Sequence, residues 1–412
     1  MISIKKWIPT ISLGISALAA QVAFAQSYPV VPDTGAGNPR PYVWINTTSS
    51  NAVLHGPGQP VGACNDSNPC YYFPADVQTA YGISAIHNGN GGAGRTIAIV
   101  DAFNDPQAAN NLALFSNAFG LPQCTVANGC LTIVNQTGGA TLPPFNPNWG
   151  VEINLDLQWA HVMAPNAHIL LVEAASSSGN DLYAAVRYAQ QHADVVSDSW
   201  GSDEFSSEAL FDSNFSSSKV PILFSSGDTA TSQYPCASTY VLCVGGTSLY
   251  ETATSFRASE VGWSGSGGGC SPFVGMPSWQ AGYTPCGASR GMPDIAAAAD
   301  PDTAALVVLD TNITGAGNPL LFLVGGTSWA CPMTAGIVAQ IQNARAAAGK
   351  STLGLNLSQA IYNSAAGNLY HYRYYDVTSG SNGNTAGSGW DLVTGLGVPL
   401  GPALTAALIA LP

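Results

Sequence analysis

A serine at the predicted start of a helix is the first candidate for chemistry. Ser328 follows Gly326 and Thr327 and precedes the alanine-rich stretch Met333–Ala348, whose composition is typical of a helix. A hydroxyl at this point is exposed, and an oxyanion beside it can be stabilised by backbone N–H groups and the helix dipole. Serine before a helix is more often only an N-cap. Ser328 is therefore a candidate nucleophile that needs support from other groups.

Two acids four residues apart provide the second candidate. Glu152 and Asp156 lie in Val151–Met163, a segment predicted to be helical, so both carboxylates project from one face, one turn apart. Like charges at this spacing raise the pKa of one acid, which gives a base that still accepts a proton in acid while its partner orients it. A solvated helix face is the alternative, but Ile153 and Leu155 make the surroundings apolar.

A third acid follows an apolar run of sequence. Asp228 ends the motif Ser225-Ser226-Gly227-Asp228, which comes directly after a predicted strand. A protonated carboxyl group donates an O–H hydrogen bond and can stabilise an oxyanion, which a carboxylate cannot do. The alternative is an ordinary turn aspartate beside a glycine.

Alternating short β-branched runs and helical patterns must position these residues. The predicted strands are Thr96–Val100, His168–Val172, Val195–Ser199 and Ile222–Ser226, and the predicted helices are Pro106–Phe119, Val151–Met163, Asp181–Ala193 and Ser206–Ser217. This order predicts an α/β fold with a doubly wound, mostly parallel sheet covered by helices on both faces. Ligands bind such sheets at the carboxyl ends of strands. The motifs at such ends are Ser199-Trp200-Gly201, Gly227-Asp228 and Gly326-Thr327-Ser328.

The start of the chain predicts export. An apolar stretch from Trp7 to Phe24 follows two lysines and ends in Ala23-Phe24-Ala25, so residues 1–25 are predicted to be a cleavable secretory signal. A membrane anchor is the less favoured alternative because Pro9 interrupts the apolar core. We expect a secreted, monomeric protein without stable membrane association.

Charge and cysteine content narrow the function classes. With 11 basic and 24 acidic residues the net charge is −13, which argues against a nucleic-acid partner. Eight of the cysteines form near neighbours, which in an exported chain predict short-loop disulfides without fixing their connectivity. The pairs are Cys64 and Cys70, Cys124 and Cys130, Cys236 and Cys243, and Cys270 and Cys286. Cys331 is left over and is expected to be a buried free thiol. Residues 26–70, rich in Pro, Gly, Asn and Ser, predict an extended, disulfide-pinned arm before one large domain, 71–412.

Taken together, these motifs resemble the sedolisin family of serine-carboxyl peptidases, relatives of the subtilases in which a glutamate replaces the histidine. The resemblance covers nearly everything from Tyr71 onward, and the motifs occur in the family's order. It implies an acid-working endopeptidase on a subtilisin-like fold that cleaves polypeptides. Ser328 is then the nucleophile, Glu152 the general base, Asp156 the orienting acid and Asp228 the oxyanion donor. The edge that pairs with substrate would be Ser199, Trp200 and Gly201, and the loop beside the pocket would be Gly267–Gly269.

The resemblance also implies one calcium site near the C-terminus, in a loop spanning 376–391. Carboxylate oxygens would come from Asp376 and Asp391, and backbone carbonyl oxygens from Val377, Gly387 and Gly389, a donor set that suits a hard cation. Without the resemblance, the Gly, Ser and Asn content of this loop would predict only a flexible segment.

The sequence departs from the family pattern in one respect, and several alternative functions remain to be tested. About seventy residues separate the predicted signal cleavage site from Thr96, too few for the folded propeptide domain that the family implies, so the route of maturation is open. A subtilase using Asp101 and His161 is one alternative. Ester hydrolysis and a catalytically inert binding protein on a peptidase scaffold are two others.

Overall fold

The computed structural model describes residues 39–45, 53–54, 70–83, 90–252, 255–309 and 319–411. The predicted signal segment and Cys64 lie outside these ranges, although Cys70 is disulfide-bonded. The described parts of the predicted arm are short strands, β1 (Arg40–Pro41), β2 (Trp44–Ile45) and β3 (Val53–Leu54).

The described elements of the domain follow in chain order. The strands are β4 (Cys70–Tyr72), β5 (Thr96–Ala102), β6 (Leu131–Asn135), β7 (His168–Ala174), β8 (Val195–Asp198), β9 (Trp200–Asp203) and β10 (Ile222–Ser225). Next come β11 (Gln233–Tyr234), β12 (Leu242–Thr252), β13 (Ser255–Gly262), β14 (Gly269–Gly275), β15 (Ser289–Met292) and β16 (Ile295–Ala298). The last strands are β17 (Thr303–Leu309), β18 (Leu320–Gly325), β19 (Tyr374–Tyr375) and β20 (Val398–Pro399). The α-helices are α1 (Pro74–Ala80), α2 (Ala108–Phe119), α3 (Pro147–Met163), α4 (Gly179–His192), α5 (Thr327–Ala347), α6 (Leu357–Ser364), α7 (Tyr370–Arg373) and α8 (Gly401–Ile409).

An eight-stranded sheet forms the centre of the molecule. Its order is β13-β12-β10-β8-β5-β7-β6, and β16 also pairs with β12. All these pairings are parallel except that of β12 with β13. The prediction of a doubly wound, mostly parallel sheet is therefore confirmed, and the fold is subtilisin-like.

Each face of this sheet packs against helices, as the alternation along β5 dictates. Ile97 and Ile99 point into the core formed with α2, α3 and α5, whereas Ala98 and Val100 point into the core formed with α4. Because consecutive side chains of a strand face opposite sides, one apolar run buries both faces. The sheet thus holds α3 and α5, which carry Glu152 and Ser328, on the same side.

Most predicted elements are confirmed with small shifts at their ends, and one prediction is wrong. Instead of an α-helix over Ser206–Ser217, the chain forms a 3₁₀-helix from Glu208 to Asn214. Serine, aspartate and asparagine side chains in this stretch compete for backbone hydrogen bonds, and Leu210 is 78% exposed, so no apolar stripe sustains a longer helix.

Three predicted disulfides are present: Cys124–Cys130, Cys236–Cys243 and Cys270–Cys286. Cys331 is free and buried, as expected. Within the ranges described above, no helix has the length and apolarity needed to cross a bilayer.

Candidate active site

Ser328 lies in the first turn of α5, directly after a strand end. The preceding Gly326 has a φ of 118°, a conformation that L side chains rarely adopt. A side chain there would collide with the Tyr42 carbonyl oxygen and would lie 2.6 Å from Asp228 Oδ2. The glycine therefore keeps open the space beside the Ser328 backbone N–H, which donates to the Tyr42 carbonyl oxygen at 3.2 Å. Ser328 is fully buried.

The two predicted acids lie in the middle of α3. The helix begins where the Asn146 side chain accepts hydrogen bonds from the N–H groups of Asn148 and Trp149. Glu152 and Asp156 follow within residues 149–163, which are buried on every side of the helix. Burial, and then repulsion from Asp156, raises the pKa of Glu152 well above its usual value. Burial also raises the pKa of Asp156. Both carboxyl groups are therefore shielded from solvent.

Ser328 lies close to the acid pair, and Ser199 contacts both. The Ser328 hydroxyl is close enough to Glu152 to lower its pKa, although its own hydrogen bond goes to the Ser199 carbonyl oxygen at 3.3 Å. Asp156 Oδ1 accepts a hydrogen bond from the Ser199 hydroxyl at 3.1 Å. Ser199 thus links Asp156 to Ser328, a contact that the sequence did not indicate.

Packing of α3 against α5 fixes the position of the acid pair relative to Ser328. Trp159 of α3 and Trp329 of α5 meet edge to face, with ring centroids 5.0 Å apart. Gly336 lets the two helices approach, because a Cβ atom there would lie 2.5 Å from Met163 Cβ.

Asp228 lies on the other side of Ser328. Its Oδ1 accepts hydrogen bonds from both the backbone N–H and the hydroxyl of Thr327, each at 2.8 Å. The other oxygen borders the same space above Gly326 as the Tyr42 carbonyl oxygen. The predicted Gly267–Gly269 loop runs alongside, since the Gly267 N–H donates to the Gly227 carbonyl oxygen at 2.7 Å.

Further buried acids lie near the pair: Asp101 and Asp198 interact with it, and Glu173 interacts with Asp101. Asp101 at the end of β5 raises the pKa of both Glu152 and Asp156. Burial raises the pKa of Asp101 itself to about 8 and that of Glu173 to about 9, and it raises that of Asp198 as well. The sequence pointed to Asp101 only as a subtilase residue and gave no sign of Asp198 or Glu173, although each of the three lies at or near a strand end.

His161 is not brought to Ser328. It lies nine residues after Glu152 on α3, about 13 Å further along the helix axis at the usual rise per residue. Its Nε2 contacts the Pro122 carbonyl oxygen at 2.7 Å, and burial lowers its pKa. The ring therefore serves the packing of α3 against the segment that follows α2.

The N-terminal arm of the chain pairs with the edge that is predicted to bind substrate. The arm contacts β9 and then β18, and the space between these two strands is called the cleft. Arg40 and Pro41 pair antiparallel with Gly201 and Trp200, and the Tyr42 N–H donates to the Ser199 carbonyl oxygen at 3.3 Å. The edge formed by Ser199, Trp200 and Gly201 is therefore occupied by an extended segment of the chain itself.

Known proteins of similar sequence and structure include serine-type peptidases. The family model described as "Subtilase family" matches residues 153–397, which include Asp156, Asp228 and Ser328 and begin one residue after Glu152. The chain belongs to the subtilase family.

Among subtilase relatives, the chain is 31% identical to kumamolisin from Bacillus sp. (strain MN-32) over 381 residues, covering 83% of this chain and 64% of kumamolisin. It is 32% identical to sedolisin from Pseudomonas sp. (strain 101) over 188 residues, covering 42% of this chain and 29% of that protein. The chain thus spans less than two thirds of the length of either relative.

A solved structure of Pseudomonas sedolisin, a serine-carboxyl proteinase complexed with two molecules of pseudo-iodotyrostatin, is also similar. Its TM-score is 0.68 at 26% identity, and the match covers 82% of this chain and 98% of that one. These similarities confirm the resemblance to the sedolisin family of serine-carboxyl peptidases that the motifs indicated.

The remaining predicted site of this subtilase is the C-terminal loop. Asp376 Oδ1 accepts hydrogen bonds from the Gly389 N–H and the Tyr370 hydroxyl, both at 3.0 Å. Asp391 Oδ2 accepts from the Gly387 N–H at 3.1 Å, and burial raises the Asp391 pKa. Both carboxylates thus border the turn 387–391 that carries the predicted carbonyl ligands of Gly387 and Gly389. Among the residues described, no group of three or more His, Cys, Asp or Glu side chains is placed to hold a metal ion.

Proposed function

We propose that this chain is a secreted serine-carboxyl endopeptidase that hydrolyses peptide bonds of proteins at acidic pH. The observation that carries the proposal is the position of Ser328 beside the buried pair Glu152 and Asp156, whose raised pKa values keep a proton available in the site. The three described disulfides support export, because disulfides persist in oxidising compartments.

The proposed reaction uses the groups in the order in which they meet the substrate. The acid pair shares one proton, which Asp156 holds, so Glu152 is ionised. Glu152 takes the proton of the Ser328 hydroxyl as Ser328 Oγ attacks the substrate carbonyl carbon, and Asp156 orients Glu152. The oxyanion accepts hydrogen bonds from the Ser328 backbone N–H and from protonated Asp228. Glu152 then gives its proton to the leaving amine, and water hydrolyses the acyl-enzyme by the same steps in reverse. Because Asp228 donates only while protonated, the reaction favours acid.

An endopeptidase mode is supported by how the arm passes through the cleft. Residues before Tyr42 pair with β9, and residues after it pair with β18, since Trp44 and Ile45 lie opposite Gly325 and Val324. A bound chain can therefore continue in both directions from Ser328 and needs no free end.

A calcium ion in the C-terminal loop is part of the proposal. The donor set fits a hard cation because it consists of oxygen atoms: the carboxylates of Asp376 and Asp391 and the carbonyl groups of Val377, Gly387 and Gly389. The buried Asp391 carboxylate, whose pKa is raised by burial, would be stabilised by a cation. Such an ion would brace the loop and would take no part in the reaction.

The test is cleavage of an unfolded protein substrate from about pH 3 to about pH 8, a range that spans carboxyl and histidine titration. We expect activity confined to acid, with kcat reduced by at least about 10³-fold in Ser328→Ala and in Glu152→Gln. His161→Gln is the matched control and should remain active. Activity at neutral pH that His161→Gln abolishes would instead support a histidine-dependent subtilase, and no cleavage at any pH by folded wild type would support an inert scaffold.

A further inference from the structure

We infer that Arg40–Ile45 is bound as an intramolecular substrate and that the enzyme cleaves its own chain between Tyr42 and Val43, with Gln233 selecting the tyrosine. The inference rests on the proposed function, because it assigns that active site a cleavage point in this chain. Three independent sets of contacts support it.

The first set is the main-chain register. On one side of Tyr42 the arm pairs antiparallel with β9, and on the other side it pairs antiparallel with β18, the strand that leads into Ser328. Between these two pairings, the Tyr42 carbonyl oxygen accepts the Ser328 N–H at 3.2 Å. That N–H is a proposed oxyanion donor, so the Tyr42–Val43 bond lies where a substrate bond must lie for attack.

The second set is the shape of the pocket that holds the Tyr42 side chain. Tyr42 is only 3% exposed. A Cβ atom at Gly201 would lie 2.5 Å from the Tyr42 hydroxyl oxygen, and one at Gly227 would lie 3.5 Å from the carbon that bears this hydroxyl. Gly201, in β9, thus leaves the room that the aromatic ring needs, and Gly227 lies in ordinary contact with that ring.

The third set is the chemistry at the end of the pocket. The Tyr42 hydroxyl donates to Gln233 Oε1 at 2.7 Å, and Gln233 is buried. The amide orientation is fixed because Gln233 Nε2 donates to Asp203 Oδ1 at 2.8 Å and to the Thr231 hydroxyl at 3.0 Å. The pocket therefore presents a fixed acceptor, which tyrosine satisfies and phenylalanine leaves unpaired at a cost.

The proposed cleavage is hydrolysis and needs no further reactant than water. Ser328 Oγ bonds to the Tyr42 carbonyl carbon, the bond to the Val43 nitrogen breaks, and that nitrogen takes the proton held by Glu152. Water then cleaves the Tyr42 ester, which leaves a Tyr42 carboxyl group and a new amino terminus at Val43. Departure of the arm would uncover Ser328, which is buried while the arm is bound.

The experiment follows the amino terminus of the purified full chain by mass spectrometry after transfer from neutral buffer to about pH 4, a pH at which carboxyl groups gain protons. Wild type should give a chain that begins at Val43, at a rate that does not change with tenfold dilution. Ser328→Ala should keep the Tyr42–Val43 bond. Tyr42→Phe retains the ring and should slow the cleavage about tenfold, because the buried Gln233 oxygen loses its donor.

A double-mutant comparison isolates the role of Gln233. In a Gln233→Met background the Tyr42→Phe substitution should change the rate by less than about twofold, since the hydrogen bond is already gone. An equal slowing in both backgrounds would overturn the role of Gln233. A different terminus, or a rate that rises with protein concentration, would overturn intramolecular cleavage at Tyr42.

A parallel assay with an unfolded protein substrate separates this inference from the proposed function. An intact Tyr42–Val43 bond in a protein that cleaves the added substrate overturns the inference alone. Loss of both reactions in folded wild type overturns both.

Discussion

Burial is the largest cause of the raised pKa of Glu152 and of Asp156, and repulsion from neighbouring acids adds to it. Asp101 contributes to both shifts, so at least three carboxyl groups interact closely. Groups that interact this strongly titrate as a set, and the set as a whole retains protons over a wide pH range. A proton can therefore be taken from Ser328 and returned to a leaving amine within one shielded cluster.

Asp228 offers a test of the oxyanion role at a single side chain. We expect Asp228→Ala to lower kcat by about 10²–10³-fold with little change in KM, because the lost hydrogen bond is made to charge that develops only in the transition state. Steady-state kinetics on a peptide substrate at the acid optimum measure both quantities. A raised KM with unchanged kcat would instead assign Asp228 to substrate binding.

Spacing along the sequence predicted some of these residues and could not predict others. Glu152 and Asp156 were predictable because one helical turn relates them. The contact of Tyr42 with Gln233 joins residues 191 positions apart, and it depends on how the arm threads the cleft. Asp198 and Glu173 were missed because their neighbours lie on other elements: Asp198 interacts with Asp156, and Glu173 lies opposite Asp101 on the adjacent strand.

At the scale of elements, the predictable part was the order of strands and helices. Short apolar, β-branched runs placed β5 and β7 within two residues of their observed limits, and the parallel pairing followed from the alternation of strands and helices. The start of α3 was placed four residues late, because that helix is buried on every side and has no polar face to mark its beginning. The path of β1 and β2 through the cleft was not predictable, because each strand has two residues and pairs only with distant strands. Short strands carry too little periodicity to be recognised and acquire their conformation from the partners they meet.

The C-terminal loop allows a prediction about calcium removal. We expect a chelator to lower the thermal midpoint by about 5 °C or more, because a ligand that binds only the folded state stabilises it by mass action. Differential scanning calorimetry of the Ser328→Ala protein, with and without calcium, measures the shift. Asp376→Ala should abolish the difference, while Asp181→Asn, at an acid outside the loop, should retain it. A calcium-dependent shift that survives Asp376→Ala would contradict the proposed ligand set.

At the scale of the whole molecule, few charges respond to acid. Only 8% of the residues are charged, so most of the surface is neutral at any pH. Of the ion pairs in the described ranges, Arg290–Asp294 is fully buried, and neighbouring Asp294 raises the pKa of Arg290 against the effect of burial. Acidification therefore removes few stabilising contacts from the surface.

Acid removes few surface contacts, and it stabilises the buried acids in their protonated form. We therefore expect the protein to be more stable in acid than at neutral pH. The folded protein holds protons on carboxyl groups that the unfolded chain releases near pH 4, so unfolding above that pH releases protons. This stabilisation is complete below about pH 4 and is lost as the pH rises through the folded values, about 8 for Asp101 and about 9 for Glu173. Each such group contributes a slope of up to about 1.4 kcal/mol per pH unit. Asp181, whose pKa is lowered by hydrogen bonds from Ser176 and Gln136, opposes this trend from a partly exposed position.

Urea unfolding of the Ser328→Ala protein at pH values from about 4 to about 8, with calcium held constant, measures this dependence without self-digestion. The free energy of unfolding should fall steadily as the pH rises across the range that the carboxyl shifts define. Asp198→Asn replaces one buried acid by a neutral group of the same shape, so its decline should be shallower than that of the parent by up to about 1.4 kcal/mol per pH unit. A free energy that stays level or rises toward pH 8 would mean that these acids are ionised in the folded protein. The acid pair would then lack the proton that the proposed mechanism requires it to share.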